Sequence, residues 1–318
     1  METELYPLPS VKPQCRIAVA GRSMTDLQHQ LTVVQHPEVH PPENETSLVP
    51  DRVLRHLYAT IQRFQVVEPH LRLLSGPPPT SAVFAQSCLL AEITAAICAR
   101  KHDRLFNARA AARLAQGETF AELLKAAPAP AAAHDALPPG VRDRFSLGQF
   151  AATMAFISKL RGEECVFFVL LGEHSPNQSF RHILRACAEC RLPILFYVET
   201  RLHLPAGKHA SRNREDPHSV YGEFGVPVIT TDVHDPVALY RITTEAIHHA
   251  RFGQGATVIE STQVVAARKR TRLATPSDPL DFMKRYMQAR GIWDNEWAKE
   301  QHRAAVEELE SALTEKSG

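Results

Sequence analysis

Residues 165–201, CVFFVLLGEHSPNQSFRHILRACAECRLPILFYVETR, constrain the fold of this chain more than any other stretch. An apolar run from Cys165 to Leu171 ends at Gly172 and a polar turn. A helix-like segment follows and leads to a second apolar run, Ile194 to Val198. Strand, glycine turn, helix, strand is the βαβ unit. Its two strands pair in parallel, and ligands bind beyond their carboxyl ends.

The flanking sequence extends the same pattern. Helical spacing begins near Asp51, an N-cap candidate ahead of VLRHLYATIQRF, and stops at Ser75-Gly76-Pro77-Pro78-Pro79. A second helix is expected from about Ala82 to Ala99, and a short one over Thr119 to Leu124. Residues 126–140, AAPAPAAAHDALPPG, are turn-rich and predict a surface loop. Ser146 to Leu160 predicts a helix leading into the first central strand. Beyond a polar loop after Arg201, Val226 to Thr231 and Ala256 to Val265 predict strands on either side of a helix from Asp235 to Phe252. Strands alternating with helices imply an α/β fold, a parallel sheet covered by helices on both faces. After the basic run Arg268 to Arg272, Ser277 or Asp278 can cap a helix that Gly291 stops, and a last helix starts near Asn295. The expected organisation is an N-terminal arm over 1–49, an α/β domain over 50–275 and a helical C-terminal appendage over 276–318.

Composition narrows the function classes. A net charge of +1 gives no basis for a nucleic-acid or membrane-surface partner. No apolar run approaches the roughly 20 residues that span a bilayer. The first residues, METELYPLPSVKPQC, have neither a basic leader nor an apolar signal core, so the expected location is cytoplasmic. Cys187 and Cys190 form a CxxC inside a helix-like segment, with no second pair or histidines at ligand spacing. They are expected to be core cysteines. His36 and His40 are separated by a proline, which argues against one shared helical face. His248 and His249 are expected on different faces of a helix. Ser175, Ser179 and Ser211 lack a GxSxG context, and Gly253-Gln254-Gly255 follows a helix as a stop.

Three stretches carry a family resemblance. Gly172 to Arg201 keeps the spacing between the Gly-Asp-Gly and Asn-Asn motifs of thiamine enzymes, with Asn177-Gln178, Leu192-Pro193 and Glu199 in matching places. YGEFGVPVITTDVHDPVALYRITTEAIHHARFGQGATVIES and DPLDFMKRYMQARGIWDNEW are the other two. From Ser146 to Leu313 the chain thus resembles the alpha subunit of the thiamine diphosphate-dependent decarboxylating component of 2-oxo acid dehydrogenase complexes, the pyruvate, branched-chain and acetoin group. Residues 50–125 match through Glu92 and Phe120 to Leu124. The resemblance implies the thiamine diphosphate-binding fold, thiamine diphosphate and magnesium as the family's cofactors, and a beta-type subunit or a second copy as partner.

The resemblance also locates the departures. It places Gly172, Glu173, His174, Asn177, Arg109 and Arg201 at cofactor-binding positions. Glu173 falls where the family has its metal-binding aspartate, the His203 backbone carbonyl at a third ligand, and Arg201 at the second side-chain ligand. Arginine has no lone pair to give a metal. The family's tyrosine-arginine grip on the diphosphate corresponds to Ala108-Arg109. After Glu260 the family's cofactor loop with its histidine is replaced by Thr262-Gln263-Val264-Val265. Three readings follow from the sequence. One is an alpha-like subunit with thiamine diphosphate and magnesium absent or weakly bound. Another is an active decarboxylating component with an atypical metal site. The third is a repurposed anion-binding or assembly protein, in which Arg201, Arg109 and the 268–272 run converge. Glu173 and Arg201 are expected to pair in the first reading.

Overall fold

The computed structural model describes residues 49–74, 84–126, 144–173, 178–204, 224–266 and 278–317, with backbone alone at 84–88, 144–145, 173, 178, 201–204, 263–266 and 316–317. The expected arm before Val49, the breaks at 75–79 and 127–140, the polar loop 205–223 and the basic run 268–272 lie outside these residues.

Five parallel strands form the centre: β1 (Arg104–Phe106), β2 (Phe167–Glu173), β3 (Ile194–Leu204), β4 (Val228–Asp232) and β5 (Thr257–Ala266), in the order β1-β2-β3-β5-β4. The apolar runs at 165–171 and 194–198 are continuous because both faces of the sheet are covered. Side chains alternate across a strand, and the core divides accordingly. Val166, Phe168, Leu170, Leu195, Tyr197 and Ile259 join one cluster, whereas Phe167, Val169, Leu171, Ile194, Phe196 and Val258 join the other.

The first face is covered by α1 (Asp51–Leu74), α2 (Phe84–Cys98), α3 (Ala110–Ala115), α4 (Phe120–Ala126) and α7 (Pro236–Arg251). The C-terminal helices α8 (Pro279–Ala289) and α9 (Asn295–Ser317) complete that layer. The second face is covered by α5 (Arg144–Leu160) and α6 (Gln178–Glu189). In α6, Phe180, Ile183, Leu184 and Cys187 recur at helical spacing and are all buried. The expected α/β architecture, with helices on both faces and a helical C-terminal region, is what the structure has.

The C-terminal helices are fixed to α1 by three kinds of contact. Glu308 takes the Arg63 guanidinium at 2.8 Å through each oxygen and also accepts the Phe120 N–H at 3.0 Å. The Tyr58 ring meets Trp293 and Trp297 with centroids 5.2 and 5.5 Å apart. Gln62 donates to the Ala298 carbonyl. Asp278 caps α8 as expected, accepting the Leu280 N–H at 3.0 Å with Pro279 at the first position.

Several expectations are corrected. Asp51 is not a cap: it is the first residue of α1, and its carboxylate takes Arg290 at 2.7 Å. β3 does not end near Arg201 but continues to Leu204, because β5 continues beside it to Ala266. β1 and α3 had no counterpart in the sequence pattern. Of the CxxC pair, Cys187 is fully buried in the second core and Cys190 is half-buried. His248 is exposed and His249 half-buried, on different faces of α7. Gly253 stops that helix with φ +71°.

Candidate functional site at the carboxyl ends of the strands

With α6 on one face and α7 on the other, the sheet is doubly wound, and ligands in such sheets bind beyond the carboxyl ends of the strands. The end of β2 is shaped by a local irregularity. The β2–β3 register shifts between Leu170 and Gly172, and Gly172 turns with φ +64°, a conformation open to glycine. The Leu170 carbonyl accepts the Asn107 side-chain amide at 2.7 Å. Asn107 itself has φ +61°, so the chain leaving β1 turns sharply at this point. That turn delivers Arg109 to the carboxyl ends, ahead of α3.

Arg109 occupies the N-cap of α3 but offers no side-chain cap. The missing acceptor comes from α2 instead. The Glu92 carboxylate accepts the Arg109 backbone N–H at 3.1 Å, and Ala112 N–H also faces it. The Arg109 guanidinium lies 3.9 Å from Glu92 and is half-exposed. Glu92 is buried, and burial pushes its carboxyl up to about 7. The Arg109 guanidinium and the two N–H groups act against that rise, and the nearby Glu199 adds to it. Glu199 is also buried, midway along β3 and opposite the last residue of β2, Glu173.

A third buried carboxylate, Glu260, lies on β5. The Thr200 hydroxyl donates to it at 2.5 Å and the Thr230 hydroxyl at 3.4 Å. These hydroxyls belong to β3 and β4, the two strands that flank β5. Glu260 therefore ties three strands together midway along the ladder.

The other expected site residues are placed through their backbone. Glu173 stands opposite Glu199 in the β2–β3 ladder. Arg201 stands opposite Gln263, and His203 opposite Val265, inside the β3–β5 ladder. His174, Asn177 and the side chains of Glu173 and Arg201 lie outside the described residues, as does the expected Glu173–Arg201 pairing. Among the described residues no cluster of three His, Cys, Asp or Glu side chains could hold a metal ion. No helix among them is long and apolar enough to cross a membrane.

The model of one protein family, "Dehydrogenase E1 component", matches residues 145–317, more than half of the chain. The chain belongs to this E1 family. Among its relatives, the pyruvate dehydrogenase E1 component subunit alpha of Staphylococcus epidermidis is 26% identical over 182 residues, covering 52% of this chain and 49% of the relative. The 2-oxoisovalerate dehydrogenase subunit alpha of Bacillus subtilis is 25% identical over 163 residues, covering 46% and 49%. The chain thus spans about half the length of the curated E1 relatives it matches. A solved Mycobacterium smegmatis protein, described as a thiamin diphosphate-dependent enzyme, aligns with TM-score 0.29 and 19% identity over 38% of this chain and 22% of that one. That overlap is too slight to bear on the fold. The E1 match includes Gly172 to Arg201 and excludes Glu92 and Arg109, whose proximity comes from the folded structure alone.

Proposed function

We propose that this chain is an alpha-subunit-like component of 2-oxo acid dehydrogenase machinery that does not bind thiamine diphosphate and magnesium, and that it works through assembly with a beta-type subunit. The observation that carries the reading is Arg201, in the place that the resemblance gives to the second side-chain metal ligand. Magnesium takes oxygen ligands at about 2.0–2.1 Å in near-octahedral geometry. A guanidinium supplies five donors, no acceptor and a positive charge. The residues present therefore do not fit a magnesium diphosphate. Two further points support the reading. The β3–β5 ladder runs on past Arg201 to Leu204 and Ala266, where the resemblance expects a cofactor loop. Arg109 keeps one cationic group at this end of the sheet, and its backbone is bound to Glu92.

The half-exposed Arg109 favours a second reading, an anion-binding protein on the same frame.

Reconstitution tests the first reading. The full chain is mixed with a beta-type subunit of a 2-oxo acid dehydrogenase and followed by size-exclusion chromatography. Decarboxylation of pyruvate and branched-chain 2-oxo acids is then assayed with thiamine diphosphate and magnesium. A stable complex without cofactor-dependent turnover is the expected result. Cofactor-dependent turnover overturns it.

A further inference from the structure

We propose that Glu92 is a proton-operated latch on the α2–α3 junction: its protonated carboxyl holds the Arg109 turn closed, and loss of the proton loosens that turn. The geometry of the junction carries this. One buried carboxyl on α2 stands in for the cap that α3 lacks, accepting the Arg109 N–H at 3.1 Å. A helix of six residues has little cooperativity of its own, so its start depends on that acceptor.

An ionised carboxylate accepts N–H bonds more strongly than a neutral one. The cost of burying its charge must be set against that gain. Two N–H groups and one half-exposed guanidinium 3.9 Å away are the compensation. Burial outweighs them, and the carboxyl holds its proton up to about pH 7. Glu199 of β3 adds a like charge and works in the same direction.

Several titratable groups on the elements around α2 have partners of their own, whereas the buried Nδ1 atoms of His70 on α1 and His249 on α7 have no hydrogen-bond partner among the described residues. Arg113 of α3 pairs with Glu118 at 2.5 Å. Tyr197 of β3 bonds Thr243 at 3.0 Å. On α7, Tyr240 faces Cys98 and Arg251 pairs with Asp103. On α1, Arg63 pairs with Glu308 and Arg55 lies over Trp297. The Glu173 side chain of β2 lies outside the described residues.

The sign follows from linkage. Closed, Glu92 keeps its proton to about 7; exposed to water by opening, it would return to the ordinary 4.5. Between those values the closed form binds the extra proton, so opening becomes easier as pH rises. Above the closed-state value the effect saturates. Opening that wets Glu92 is thus about tenfold more favourable at pH 8 than at pH 6.

Hydrogen exchange on the full chain, corrected for intrinsic rates, tests the latch over residues 107–117. Wild-type protection should fall about tenfold from pH 6 to pH 8. Glu92→Gln mimics the protonated form and should show equal protection at both. Glu199→Gln removes the like charge and should move the wild-type midpoint to lower pH, a readout that does not require the Glu92 variant to fold. Unchanged wild-type protection between pH 6 and pH 8 overturns the latch. So does a wild-type response in Glu92→Gln, or an unmoved midpoint in Glu199→Gln.

Discussion

Arg201 stands opposite Gln263 in the β3–β5 ladder, two positions beyond the buried Glu199. The two strands stay paired for three further positions, to Leu204 and Ala266. A backbone committed to a ladder satisfies its own polar groups between strands. Here that commitment covers the segments that the family resemblance assigns to magnesium and to the loop over the cofactor. The βαβ frame and the metal chemistry are separable: the first rests on apolar packing across the sheet, the second on a few side chains at its end.

The frame is closed on its other side by Asp103 and Arg251. The Asp103 side chain is wholly buried, takes Arg251 at 2.6 Å, and accepts the N–H groups of Val166 and Arg100 at 2.9 and 2.7 Å. Arg251→Met leaves the carboxylate buried with its N–H partners alone and should cost about 3 kcal/mol, the low end for breaking a buried pair. Urea unfolding checks this, and a loss under about 1 kcal/mol would show that the carboxylate has found water or another cation.

Glu92→Gln should change how stability depends on pH. The folded-state value of about 7 lies above the ordinary 4.5, so the contribution of Glu92 is full below 4.5 and is lost as pH rises through 7. Wild type should therefore lose stability over that window, by at most ~3 kcal/mol, and the variant should not. Urea unfolding at pH 5 and pH 8 compares the two. Parallel behaviour of both proteins would remove Glu92 as the source.

Alkylation should distinguish the cysteines of the CxxC pair. Cys187 is fully buried in the core under α6, and burial pushes its thiol up to about 12. The thiolate is the nucleophile, so iodoacetamide at pH 8 should modify half-buried Cys190 while Cys187 stays unlabelled until the chain unfolds. Mass spectrometry of tryptic peptides reads the order, and equal rates for both would contradict the packing of α6.

Most of this architecture was legible in the sequence because the long elements carry strong periodicity. α6 shows it at Phe180, Ile183, Leu184 and Cys187, and the apolar runs of β2 and β3 reflect burial on both faces. β1 is three residues long and shows no period, so nothing marked it before its pairing with Phe167, Phe168 and Val169 was seen. The reach of β3 to Leu204 comes from β5 alongside it, a tertiary effect that overrides the polar letters Thr200, Arg201 and His203. At the site, resemblance marked Glu92 and Arg109 separately, but their contact bridges 17 positions and depends on how α2 meets the turn after β1. The Asn107 turn had a weak signal, since asparagine tolerates positive φ. The Asp103–Arg251 pair, 148 positions apart, had none.

Isothermal titration of thiamine diphosphate with magnesium into the full chain, alone and with a beta-type subunit, measures the site itself. With Arg201 at a ligand position, no saturable heat is expected in either case, and Glu173→Asp with Arg201→Asn should not restore it while the β3–β5 ladder fills the loop position. Saturable binding with Kd near ~1 μM, about 8 kcal/mol of affinity, would contradict the proposal that this E1 frame has given up its cofactor.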